Sequence, residues 1–255
     1  MKKIIIANWK MNLGFRDSRK LAEELTEQMP EKELAEKEIV ICPSSGSLLL
    51  VAEVLKNHLF TMGAQDAFWE DKGAFTGCES PKFLYEAGCR YVIVGHSERR
   101  QHLIETDEMV HKKTKAVVEA GMTPIICVGE THNERSRGLT DHVIMTQTIK
   151  ALSGLDLTAN ENLIIAYEPV WVIGSGRAIE PQEAEQAFKI INQALLDLFP
   201  NSIIKNNVRI IYGGSIDGKN AGEFINLDNF GGFLVGGASL RPEEFISIIK
   251  QTKQI

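Results

Sequence analysis

The 255-residue sequence is 44% hydrophobic and 24% charged, an ordinary balance for a globular chain with material for a large core. Its formal charge of −6 comes from acidic and basic residues interspersed along the chain, so no basic face is available to neutralise a nucleic-acid backbone, and nucleic acid is not an expected partner. A small anionic ligand stays compatible with that charge, because one or two lysines and a few backbone N–H groups suffice to hold a phosphate.

The chain opens on MKKIIIANWK, a basic start with neither a long apolar segment nor a small-residue cleavage site, and no later window approaches a membrane span. Neither export nor membrane insertion is expected. The first β-rich run is IIIAN at 4–8, and seven more follow: EIVIC (38–42), FTMGAQ (60–65), YVIVGH (91–96), PIICVG (124–129), LIIAYE (163–168), VRIIYG (208–213) and GFLVGG (232–237). Helical spacing follows each of them, over 17–29, 47–57, 80–88, 106–120, 140–152, 181–199, 218–226 and 242–251. The clearest of these, PQEAEQAFKIINQALLDLF, sets Ala184, Ala187, Phe188, Ile191, Ala194, Leu195 and Leu198 in one stripe behind Pro181 and two first-turn glutamates.

Strands that are almost continuously apolar are buried on both faces, which implies a parallel sheet reached through crossover helices. Eight such units in one chain without a linker predict an α/β fold, a closed (β/α)8 barrel occupying residues 1–255 as a single domain. The four cysteines, Cys42, Cys78, Cys89 and Cys127, form no C-x-x-C pair, and Cys42 and Cys127 sit inside apolar runs. Reduced thiols, and hence a cytoplasmic chain, are expected.

In such barrels the chemistry gathers where strands end. Asn8, Lys10, Gln65, Asp66, His96 to Glu98, Glu130, Glu168, Ser215, Gly236 and Gly237 all fall there. YGGSI (212–216) and LVGGASL (234–240) place Gly-Gly turns after the last two strands, where converging N–H groups would suit a phosphate better than plain tight turns explain. GGSIDGKN (213–220) mimics a nucleotide-binding loop, but Asn220 stands where a magnesium-binding hydroxyl is needed. No histidine lies in a metal-ligand spacing, so a metal role is not expected for any of them.

Taken singly, the remaining residues keep two readings. Lys10 is a solvated lysine or a substrate contact, and His96 a satisfied core histidine or an electrophile. Glu168 is a strand-end carboxylate or a base, whose apolar neighbours Tyr167, Pro169 and Trp171 would raise its pKa by desolvation. The IGSG that follows suits the tip of a lid.

Together, NWKMN, VGHSERR, CVGE, AYEPVW-x-IG-x-G, YGGS and GFLVGGASL resemble the triosephosphate isomerase family, one motif per expected strand end and in order over essentially the whole chain. That family is itself a standard case of a glutamate base paired with a neutral histidine. The resemblance implies a TIM barrel that interconverts dihydroxyacetone phosphate and D-glyceraldehyde 3-phosphate through an enediol(ate), in glycolysis and gluconeogenesis. It implies Glu168 as the base, His96 as the electrophile, Lys10 and Asn8 as polar stabilisers, and Ser97 and Glu98 as supports around them. It also implies a phosphorylated triose held, with neither a metal nor an organic cofactor, by the backbone of Gly174, Ser215, Gly236 and Gly237 beside Leu234, and a homodimer joined through the loop KGAFTGCES around Thr76.

Five departures from the family pattern stand out. Cys78 and Gly231 replace residues that are usually acidic, and the helix expected at 181–199 lacks an arginine often found there. The lid reads VWVIGSGRAI, with an unusual second hinge at Gly176 to Ala178, and PSSGSL after the second strand lacks the usual proline-aromatic pair. A related isomerase acting on a tetrulose phosphate and a catalytically retired barrel used for binding are the rival readings. Retirement would be expected to erode Asn8, Lys10, His96 and Glu168 first.

Overall fold

The near-continuous apolar runs become strands because each has two apolar surfaces to bury. Alternate side chains point to opposite faces of a strand. Ile4, Ile6, Val40, Ile93, Ile125, Cys127, Ile164, Ile211 and Leu234 belong to one cluster that fills the interior of the sheet. Their neighbours Ile5, Ala7, Ile39, Ile41, Ile126, Val128 and Ile165 pack outward beneath the helices in a second, larger cluster.

The computed structural model describes residues 1–158, 160–173 and 178–252. Eight strands run in the order β1 (Ile4–Asn8), β2 (Glu38–Cys42), β3 (Thr61–Ala64), β4 (Cys89–Val94), β5 (Thr123–Val128), β6 (Leu163–Tyr167), β7 (Val208–Tyr212) and β8 (Phe230–Val235). All pair in parallel with their sequence neighbours, and β1 closes on β8 through Ile4–Gly232 to Ala7–Val235, so the sheet is a closed barrel. The expected (β/α)8 architecture is therefore the observed one.

Several boundaries differ from the expected ones. The strands β3 to β8 end one or two residues early, because the chain leaves the ladder before the polar residues or glycines that close the apolar runs. Helix 218–226 contracts to Ala221–Phe224, since the Asp217 side chain accepts from the N–H groups of Lys219 and Asn220 at 2.7 and 3.0 Å and holds a turn there instead. Helices Glu31–Glu36, Ser97–His102, His132–Ser136 and Asn201–Asn207 were not anticipated, being too short for a periodic pattern to register.

The amino ends of the strands are plugged by a polar group. Arg209 on β7 pairs with Glu38 on β2 at 2.5 Å and donates to the Tyr91 hydroxyl at 3.3 Å, and Tyr91 also bonds Glu38. The opposite, carboxyl end is thus the open one. There, β5 and β6 leave the barrel in close contact: a Cβ on Gly129 would lie 1.7 Å from the Glu168 carbonyl oxygen, so only glycine permits this approach. The Glu168 N–H donates to Val128 O at 2.8 Å, which fixes the backbone of that residue from the other side.

Candidate active site

Lys10 follows β1 in a left-handed conformation, φ 52°, unusual for a residue with a Cβ. Its backbone is pinned at both ends: its N–H donates to Asn8 Oδ1 at 3.1 Å, and its carbonyl accepts from Gln65 Nε2 at 2.9 Å. Gln65 also donates to Cys42 O at 3.0 Å, so one amide ties the exits of β1, β2 and β3 together. The Lys10 ammonium pairs with Glu98 at 2.5 Å and lies against the loop after β8, where a Cβ on Gly236 would be 3.3 Å from Lys10 Cε.

His96 caps the short helix Ser97–His102, its Nδ1 accepting the Glu98 N–H at 3.2 Å. A ring nitrogen that accepts carries no proton, so in the neutral imidazole the proton sits on Nε2. That nitrogen faces Glu168 Oε1 at 3.0 Å, and the other carboxylate oxygen accepts the Ser97 N–H at 2.9 Å. Glu168 is 2% exposed, and its Cγ lies 3.1 Å from where a Cβ on Gly213 would sit.

The expectation for the pKa of Glu168 needs correction. Burial does push the carboxyl up, but His96, the Ser97 N–H and the Lys10 ammonium together hold it below the usual glutamate range. Tyr167 and Trp171, expected to desolvate Glu168, turn instead to Glu130. On His96, burial pushes the pKa down while the adjacent Glu168 draws it up, leaving the imidazole above its ordinary value in the ligand-free site. Because its folded pKa lies below its unfolded one, Glu168 contributes stability that is present above the ordinary glutamate range and is lost as pH falls through its folded value.

The expected phosphate residues lie on the exits of β7 and β8. Leu234 is buried inside the barrel mouth, and Gly236 caps the turn Gly237–Leu240, in which Ser239 anchors the Gly236 carbonyl by its N–H at 2.9 Å and its hydroxyl at 2.6 Å. Ser215 is half-buried, with its carbonyl accepting from Asn220 Nδ2 at 3.4 Å. The N–H groups of Ser215 and Gly237 meet no protein acceptor among the described residues. Gly174, Gly176 and Arg177 lie outside the described residues, so the lid tip and most of its second hinge do too. The first hinge is described: Pro169 leads into a tight turn over Val170–Val172, held by the Val170 N–H on Glu130 O at 3.2 Å.

Some partnerships were invisible to sequence reasoning. Glu130 is fully buried and accepts from Trp171 Nε1 at 2.9 Å and from the Tyr167 hydroxyl at 3.2 Å. CVGE flagged the residue but not its partners. Cys127 lies beside Glu168, and burial, reinforced by that carboxylate, pushes its thiol well above the usual range. Its position in an apolar run pointed to packing alone. Among the described residues, no group of three His, Cys, Asp or Glu side chains is placed to hold a metal ion.

A cavity of about 780 Å³ adjoins Asn8, Lys10, His96 and Glu98 and runs toward Met11, Gln65 and Leu103. It extends away from Glu168, on the side of the loop around Thr76. That loop, 70–79, is exposed throughout, yet internally packed by Phe68 against Trp69 and Phe75 and by the Phe68 N–H on Glu79 O.

A family model described as triosephosphate isomerase matches residues 3–252. Among curated relatives of that description, the protein from Dictyoglomus thermophilum is 42% identical over 249 residues, covering 98% of this chain and 99% of its own. One from Dehalococcoides mccartyi is 43% identical over 256 residues, covering 100% and 98%. One from Carboxydothermus hydrogenoformans is 42% identical over 249 residues, covering 98% of each.

Proposed function

The chain belongs to the triosephosphate isomerase family, and on that premise we propose that Glu168, His96, Lys10 and Asn8 carry out the proton transfers of its aldose–ketose isomerisation. The chain is an isomerase that interconverts dihydroxyacetone phosphate and D-glyceraldehyde 3-phosphate. The observation that best supports the residue assignment is the meeting of Glu168 Oε1 and His96 Nε2 at 3.0 Å beside the Lys10 ammonium. A base and a proton donor separated by this distance can act on adjacent atoms of one small substrate.

The chemistry follows from where the protons sit. Glu168 takes a proton from the carbon next to the carbonyl, the C–H electrons form a carbon–carbon double bond, and the carbonyl electrons move onto oxygen. His96 gives its Nε2 proton to that oxygen and recovers one from the neighbouring hydroxyl, and Glu168 returns its proton to the second carbon. Lys10 and the Asn8 amide stabilise the developing negative charge. Ser97 and Glu98 position the base and the lysine. The phosphate rests on the N–H groups of Ser215, Gly236 and Gly237 with Leu234 as an apolar wall.

Substrate must part the Glu168–His96 contact, since both groups then face reacting atoms. Glu168 loses the neighbour that lowered its pKa and keeps the burial that raises it, so it becomes a stronger base on binding. His96 loses the carboxylate that raised its pKa, while burial and Lys10 keep the ring neutral. An NMR titration of ¹³C-labelled glutamate should show Glu168 titrating below the usual range in the free protein and moving up when an unreactive triose phosphate analogue binds. A downward or absent shift would contradict this account.

A coupled assay separates the substrate readings. Rapid turnover of glyceraldehyde 3-phosphate supports the triose assignment, preference for a tetrulose phosphate would replace it, and inertness toward both would indicate a binding role only.

The assembly reading rests on shape. One chain carries both a protruding, aromatic-packed loop at 70–79 and a cleft lined by Met11, Gln65, Glu98 and Leu103 beside Lys10. Met11 is 94% exposed and Leu103 60%, apolar surface that a second copy's loop would cover. Sedimentation at micromolar protein should show a homodimer, and Thr76→Arg should yield monomers of much lower activity. A fully active monomer at that concentration would overturn the interface. Residues 1–255 are taken as one cytoplasmic domain; in support, Cys42, Cys89 and Cys127 are buried unpaired thiols, and no helix among the described residues is long and apolar enough to cross a membrane.

A further inference from the structure

We propose that Gln251 and Glu244, both on helix Pro242–Gln251, are positioning residues for the phosphate of the substrate: they fix the turn that carries Ser215 against the turn that carries Gly236 and Gly237. The inference rests on the isomerase reading above, in which the N–H groups of those two turns cradle the phosphate.

The turns leave different strands, β7 and β8, and donors drawn from both converge on one anion only while their spacing is held. The second turn, Gly237–Leu240, runs directly into helix Pro242–Gln251, with the Arg241 N–H on Ala238 O at 3.3 Å. Phe245, Ile246, Ile248 and Ile249 are buried and seat that helix on the barrel. From this base Glu244 and Gln251 reach the loop after β7. Glu244 Oε1 accepts the Gly218 N–H at 2.7 Å, Gln251 Nε2 donates to the Gly218 carbonyl, and Gln251 Oε1 accepts the Gly222 N–H at 3.0 Å. Both backbone polar groups of Gly218 are thus held by one helix. The approach is close, since a Cβ on Gly218 would lie 2.6 Å from Ser247 Oγ and 2.9 Å from Ser247 Cβ.

A short hydrogen-bonded turn carries the restraint from Gly218 back to Ser215. The Asp217 N–H donates to Asn220 Oδ1 at 3.0 Å, and Asn220 Nδ2 donates to the Ser215 carbonyl at 3.4 Å. The two anchors need different chemistry. Gln251 donates and accepts at once, so leucine there loses both bonds and glutamate loses the donor. Glu244 acts only as an acceptor, which glutamine also supplies, so Glu244→Gln removes the charge and keeps the hydrogen bond.

Gln251→Leu should raise KM for glyceraldehyde 3-phosphate about tenfold with little change in kcat, and raise the inhibition constant of inorganic phosphate by the same factor. The titration of Glu168 in the free protein should not move, because the tie acts at the phosphate end alone. A residue that only supported the fold would not single out phosphate affinity in this way. Glu244→Leu should weaken phosphate in the same direction, and Glu244→Gln should restore it to near the wild-type value. Should Gln251→Leu fail to fold, the two Glu244 variants decide the matter. Unchanged inhibition by inorganic phosphate in Gln251→Leu and Glu244→Leu would overturn the proposal, whatever happens to kcat, and equal losses in Glu244→Leu and Glu244→Gln would overturn the part given to Glu244. If the wild-type protein turned over no triose phosphate, the isomerase reading would fall, and binding of inorganic phosphate to wild type and Gln251→Leu, followed by ³¹P NMR, would decide whether the tie exists.

Discussion

Glu168→Asp should lower kcat about 100-fold while leaving KM nearly unchanged, because a base drawn back by ~1 Å still allows substrate to bind but no longer meets the reacting carbon in line. Compensation by backbone movement is blocked. The Glu168 N–H is held on Val128 O at 2.8 Å, and its carbonyl abuts Gly129 so closely that a single methyl group there would clash. The shortened carboxylate would also lose either the Ser97 N–H or His96, each now at about hydrogen-bond distance, 2.9 and 3.0 Å. Steady-state kinetics in both directions provide the check. A near-normal kcat would remove Glu168 from the role of base.

Lys10→Met should reduce kcat/KM by about 10²- to 10³-fold, the usual effect of removing one preorganised charge from a developing oxyanion. Two effects combine here. The variant loses the ammonium that acts on both His96 and Glu168. It also leaves the Glu98 carboxylate, now paired at 2.5 Å, facing an anionic substrate without its partner. Adding Glu98→Gln to Lys10→Met should therefore recover part of the binding but not the rate. Lys10→Gly separates function from stability: it should be as inactive as Lys10→Met, yet more stable by about 1 kcal/mol, because the left-handed backbone at φ 52° ceases to be strained. Denaturant unfolding measures that difference, and a loss of stability would show that the strain is not stored there.

Much of this arrangement was legible beforehand. Eight apolar runs, each followed by a helical pattern, require a parallel sheet covered on its outside, and closure follows from their number. Even so, the runs placed His96, Gly129 and Glu168 inside strands, whereas these residues lie just beyond the strand ends. An apolar window cannot register where the backbone leaves the ladder, because that point depends on neighbours such as the Glu168 carbonyl against Gly129.

Glu168 illustrates the same limit in electrostatics. Its apolar sequence neighbours suggested a raised pKa, but Tyr167 and Trp171 bond Glu130. The groups that set its charge, His96, Ser97 and Lys10, come from other strand exits. Arg135 carried no signal at all, yet its guanidinium stacks on Trp171 and pairs with Glu183, residues 36 and 48 positions away.

The sequence by itself determined the fold class and the family and pointed to Asn8, Lys10, His96 and Glu168 as candidate groups, because residue type, period and order along the chain suffice for these. Tertiary structure alone decided that Glu168 rests on His96 and Ser97 in the free protein, that Lys10 is strained and held by Gln65, and that the Arg135 guanidinium meets both Trp171 and Glu183. The physical reason is distance: charge, burial and hydrogen bonding act through space over a few ångströms, and a closed barrel brings together at its mouth residues that the chain keeps far apart.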